Sequence, residues 1–164
     1  MTKTKPQSKI PDDLKRNEVL ALDVAEHTGY YSTHGMGTWN FAESAKNDYK
    51  QHLAFRETLI AFIKEHHIRV ITVEDVTAGT HFTAIRKLSE FRGVLFEVCD
   101  ELGLPEPVLV NLSTIKKYAT GNGRASKQDM IDAMIRKYNQ IPQTDDTADA
   151  CHLYYYFVNK YRLQ

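Results

Sequence analysis

The spacing of apolar positions changes along this chain, and each change marks an element. Residues 1–16, MTKTKPQSKIPDDLKR, mix lysines with polar residues and two prolines, which predicts a poorly ordered basic tail. Residues 18–24, EVLALDV, form a short continuous apolar run of the length of a buried strand. A turn-like stretch follows over Glu26-His27-Thr28-Gly29. Tyr30-Tyr31-Ser32-Thr33 and Thr38-Trp39-Asn40-Phe41 predict two more strands around a tight turn at His34-Gly35-Met36-Gly37. Three strands this close, joined by glycine-bearing turns, make an antiparallel meander.

The period then lengthens. Tyr49, Leu53, Arg56, Ile60 and Ile63 recur at helical spacing and predict a helix over 47–66. Residues 68–74, IRVITVE, are rich in β-branched side chains and predict a fourth strand. Ile85, Leu88, Leu95, Val98 and Leu102 stripe a helix over 81–102 that Gly103 closes. Gly93 inside it predicts a close backbone approach to another element. Residues 107–112, PVLVNL, read as a fifth strand, and Ser113 as the cap of a short helix bearing Lys116 and Lys117. After the loop Thr120-Gly121-Asn122-Gly123, Ser126 caps a helix to about Asn139, with Met130, Ile131, Met134, Ile135 and Tyr138 inward. Thr144 or Asp145 opens the last helix.

The order βββαβαβααα predicts an α/β fold: a five-stranded mixed sheet, three antiparallel strands then two parallel, flanked by helices. Residues 17–164 read as one domain behind the tail. A chain of 164 residues with 42% hydrophobic and 26% charged content can build one core, which excludes general disorder. No apolar run approaches the roughly 20 residues of a membrane helix. The start of the chain has no apolar segment of a secretory signal. Cys99 and Cys151 have no partner spacing, which excludes a cysteine-based zinc site and fits a reducing cytoplasm.

Charge alters this picture locally. Overall, 21 basic residues balance 21 acidic ones, so a uniformly basic nucleic-acid binder is excluded. Residues 112–137 nevertheless hold six basic residues against two acidic ones, a net +4, whereas 17–111 hold 8 against 14, a net −6. The basic segment suits contact with phosphate and equally suits a solvated helix face.

Four acidic positions stand out. Asp23 ends the first strand and Glu74 the fourth; Asp146 and Asp149 share one face of the last helix at i, i+3. If the two strands are neighbours, all four carboxylates meet at one end of the sheet. Such a cluster repels itself unless hard cations compensate. Mg²⁺ with oxygen ligands fits, and two ions about 3.5–4 Å apart can clamp a phosphodiester for in-line attack by water. Glu74 is preferred to Asp75 because it continues the strand register. Read alone, Asp145, Asp146 and Asp149 are also anions favoured at any helix start. The histidines form no ligand set, although His152 follows Asp149 by three residues. No nucleotide-binding loop or nucleophile–histidine arrangement is present, so no nucleotide cofactor is expected.

LALDVAEHTGYYS, ITVEDV, FRGVLFEV, LSTIKKYATGNGRASKQDM and DDTADACHL together resemble the RuvC-type Holliday junction resolvases, closest to the compact forms of phages and prophages. The resemblance spans roughly residues 18–160. It implies an RNase H-like fold and a Mg²⁺-dependent homodimer, with Mn²⁺ able to substitute, that nicks opposing strands of a four-way DNA junction. Asp23, Glu74, Asp146 and Asp149 match the family's metal-binding acids. Lys127 matches a lysine near the scissile phosphate, and Lys116 a basic residue set against DNA. Lys117, Arg124 and Phe82 are further DNA-binding candidates.

Three features depart from the family. Val24-Ala25-Glu26 replaces a glycine-rich segment, Thr77 replaces an aromatic residue that helps open the junction, and the basic tail is additional. His81 or Phe82 stand near enough in sequence to replace the aromatic. Two other readings remain beside the resolvase: a broader nuclease for flaps, forks or RNA-containing duplexes, and a non-catalytic DNA-structure-binding scaffold.

Overall fold

The computed structural model describes residues 10–42, 48–75 and 81–164. Residues 1–9, Thr77 and the side chain of Tyr49 lie outside the described residues. The strands are β1 (Val19–Asp23), β2 (His27–Ser32), β3 (Gly35–Asn40), β4 (Val70–Glu74) and β5 (Val108–Val110). The helices are α1 (Asp48–His66), α2 (Phe82–Glu101), α3 (Leu112–Thr120), α4 (Lys127–Tyr138) and α5 (Asp145–Lys160). One sheet runs β3-β2-β1-β4-β5, with β1–β2 and β2–β3 antiparallel and β1–β4 and β4–β5 parallel. This is the expected mixed architecture.

Side chains alternate across β1 and β4, so each strand feeds two cores. Val19, Ala21 and Val70 pack with α3, α4 and α5, through Ile115, Met130, Met134, Tyr154 and Phe157. Leu20, Leu22, Ile71 and Val73 pack with α1 and α2, through Phe55, Leu59, Phe91 and Leu95. Strands buried on both faces lose polar alternation, which is why the first and fourth read as apolar runs.

Several expectations are corrected. Within residues 10–16, Leu14 is buried, Ile10 packs on the same core, and Arg69 pairs with Asp13 at 2.9 Å. β2 begins at His27, inside the stretch expected to turn, because His27–Gly29 pair with Thr38–Asn40 of β3. On α1, Leu53 is 57% exposed, and the inward stripe is Gln51, Phe55, Leu59 and Ile63. Asn111, not Ser113, caps α3: its side-chain oxygen accepts from the Ser113 amide at 2.9 Å. Ile135 faces solvent and Ala133 takes the inward place on α4. Gly93 makes no close approach among the described residues; an added Cβ would meet none of them within 4 Å.

Candidate metal centre and nucleic-acid interface

The site forms at the C-terminal ends of β1 and β4. Leu22 pairs with Val73, so Asp23 and Glu74 follow at the same level on adjacent strands. Both share the sheet face of Ala21 and Val70, the face that α5 covers. Asp75 belongs to the opposite face and pairs with Arg92 of α2 at 3.2 Å.

The start of α5 is fixed mainly by main chain and hydroxyls. Gly29 of β2, opposite Asp23 in register, lies under the helix; a Cβ there would stand 2.1 Å from the Asp146 carbonyl oxygen. No side chain can occupy that gap, so glycine alone lets the helix seat against the strand. Thr144 caps α5 by accepting from the Thr147 amide at 3.4 Å. The Thr38 hydroxyl of β3 shares hydrogen bonds with the hydroxyls of Thr144 (2.7 Å) and Thr147 (3.0 Å). The Thr38 amide donates to Gln143 at 3.1 Å. These contacts deliver Asp146 and Asp149 to the sheet end. Apart from Thr144 as a helix start, these contacts are not legible in the sequence beyond the small and hydroxyl residues at 29, 38 and 147.

Asp23, Glu74 and Asp149 each offer a carboxylate oxygen, and the three oxygens lie within 4.8 Å of one another. Asp146 joins them through a side-chain hydrogen bond to Asp23, which is also bonded to Glu74. Carboxyls crowded in this way favour their protonated forms when no cation lies between them. Burial is the first cause of the raised pKa of all four; neighbouring carboxylates add to it, and for Asp146 that neighbour is Asp145. Asp23 is raised well above the ordinary carboxylate range, first by burial and then by Glu74, Asp149 and Asp146. Glu74 rises to about 7, with Asp23 and Lys116 holding it down. Asp149 also rises to about 7, opposed by Lys116. Carboxylate oxygens gathered in this way fit a hard divalent ion.

The basic candidates divide. Lys116 acts electrostatically on Glu74 and Asp149 from α3. Lys127, the first residue of α4, is 84% exposed and pairs with Asp145 at 3.2 Å beside the cluster. Lys117 and Arg124 are exposed on the same basic segment. Phe82 opens α2 and is 81% exposed. His152 is outside the cluster: it is fully buried, and its Nε2 donates to the Met130 carbonyl at 2.9 Å.

The family model described as "Crossover junction endodeoxyribonuclease RuvC" matches residues 24–154. This chain belongs to the RuvC family. A RuvC protein of Koribacter versatilis (strain Ellin345) is 33% identical over 120 residues, covering 68% of this chain and 71% of that protein. The RuvC structure from Thermus thermophilus superposes with a TM-score of 0.67 at 13% identity, covering 87% of this chain and 95% of that one. T. thermophilus RuvC in complex with Holliday junction substrate gives 0.66 at 14% identity, covering 82% and 88%. The shared architecture is the RNase H-like resolvase fold, and membership makes the chain a nuclease of the crossover-junction class.

Proposed function

We propose that this RuvC-family chain resolves four-way DNA junctions by metal-dependent phosphodiester hydrolysis. The observation that carries the reading is the meeting of Asp23, Glu74, Asp146 and Asp149 where two strand ends face a helix start. A relative's fold is recorded on a Holliday junction, which supports branched DNA as the substrate.

Asp23, Glu74, Asp146 and Asp149 are the residues to hold the metal, proposed as two Mg²⁺ with Mn²⁺ as a substitute. When bound, the ions would supply an activated water and charge neutralisation at the phosphate. The four carboxylates, in their ionised form, would hold the ions and so fix where the phosphate sits. Lys127, exposed at the rim, is placed to meet a phosphate oxygen and stabilise growing negative charge. Lys116, Lys117 and Arg124 extend that positive edge along the DNA backbone, and Phe82 offers an exposed ring for stacking. A homodimer would place two such sites on opposing strands of a two-fold junction. The setting is the bacterial or phage-infected cytoplasm; among the described residues no helix is long and apolar enough to cross a membrane.

The test is cleavage of a synthetic four-way junction with Mg²⁺ and with EDTA, beside Asp146→Asn. Paired, ligatable nicks that vanish in EDTA and in the variant are expected. Equal attack on forks, flaps and plain duplex would move the substrate to a broader set. Binding without cleavage under any divalent ion would leave a scaffold.

A further inference from the structure

A cleft of about 410 Å³ opens beside the carboxylates. Asp23 and Asp146 stand in its wall. Its remaining lining comes from the β1–β2 connection, with Val24, Ala25 and Glu26, from His27 at the start of β2, and from one face of α2, with Ala84, Lys87 and Leu88. The α2 positions follow i, i+3, i+4, so they form one continuous helical stripe. The surface is mostly apolar, with His27 and the Glu26–Lys87 pair set into it beside the two carboxylates. Glu26 accepts from Lys87 and from the Gln51 amide nitrogen at 2.8 Å, and these donors hold its carboxyl below the ordinary range. The ion pair is therefore a fixed array with an acceptor and a donor side by side.

That combination is chemically specific. A volume of this order fits a small ring-bearing ligand rather than a peptide or duplex. Flat aliphatic walls suit the face of a base, and a carboxylate beside an ammonium matches the donor and acceptor groups on a base edge. Location selects the ligand further. A group filling this cleft touches Asp23 and Asp146, so it must be covalently close to whatever phosphate the cluster engages.

Resting on the proposed junction cleavage, we infer that this cleft receives the nucleoside bonded to the scissile phosphate, and that Glu26 and Lys87 read its base. The cleft then sets where along a mobile junction the strand is cut. None of these residues supplies metal ligation; they are specificity-determining contacts of the same site.

The experiment uses full-length protein and a pool of four-way junctions randomised around the crossover, with cut ends sequenced. Wild type is expected to show a base preference at one nucleotide flanking the cut. Glu26→Gln and Lys87→Met are expected to change that preference at that position alone. Ala84→Trp, at an exposed helix position, fills the cleft and is expected to lower kcat/KM by about tenfold or more. An abasic residue at the flanking position is expected to restore its cleavage to the wild-type rate on the same substrate. Unchanged preference in both polar variants, wild-type cleavage by Ala84→Trp, or no abasic rescue in a variant that retains its thermal midpoint would overturn the inference. Failure is separable from that of the parent reading: a folded wild-type protein that cuts no junction defeats the junction assignment itself.

Discussion

Glu74 and Asp75 are adjacent acids with opposite surroundings. Glu74 faces α5 and the other carboxylates, while Asp75 turns to Arg92 of α2. Strand alternation made that choice legible, since only one of two consecutive residues can face the helix. Glu74→Gln is therefore expected to abolish cleavage, and Asp75→Asn to retain it within about tenfold, in single-turnover assays on one junction. The raised pKa values of Glu74 and Asp149, both about 7, have a consequence for stability. Unfolded carboxyls titrate near roughly 4, so the folded protein binds more protons between about pH 4 and 7. Stability contributed by these groups is present at the acid end and lost as pH rises through that window. The metal-free protein should melt lower at about pH 8 than at about pH 5, and a divalent cation should reverse the loss at the higher pH. Asp149→Asn should raise the metal-free midpoint at the higher pH by about 4 °C, read by calorimetry, because it removes one repelling charge.

At the scale of elements, caps and register were readable and packing partners were not. Ser126 and Thr144 cap α4 and α5 as their sequence context indicates. Leu53 was misassigned because it shares the helical period of its neighbours, yet the face that meets the sheet is set by Phe55 and Phe91 across two helices. The Glu26–Lys87 pair was not legible either, since it joins a strand connection to a helix 61 residues away. Gly29 shows the same limit: glycine beside a turn signal reads as a turn, whereas here it sits in β2 beneath α5. Gly29→Ala is expected to cost about 3 kcal/mol in denaturant unfolding, because main chain must move. Cleavage should fall by about a hundredfold through displacement of Asp146 and Asp149. Thr38→Val should weaken the same seat more mildly, by about 1 kcal/mol.

For the whole molecule, zero net charge conceals a separation of sign. The +4 segment lies in α3, α4 and their connection, and the acidic excess lies before it. Neutralising the exposed Lys117 and Arg124 should weaken junction binding and flatten its salt dependence by up to about 0.9 in log–log slope for each lost phosphate contact. Titrations at several ionic strengths, with cleavage suppressed by Asp146→Asn, would measure this. The sheet meanwhile carries a core on each face, and α5 rests on it at Gly29 with main chain against main chain. Little in that contact can yield, so the four carboxylates keep a nearly constant spacing whichever ion arrives. With these carboxylates as the metal ligands proposed above, a frame of that stiffness would discriminate by ionic radius. Calcium takes oxygen ligands at about 2.3–2.6 Å against about 2.0–2.1 Å for magnesium. Calcium should accordingly support junction binding yet leave the phosphate out of line for cleavage.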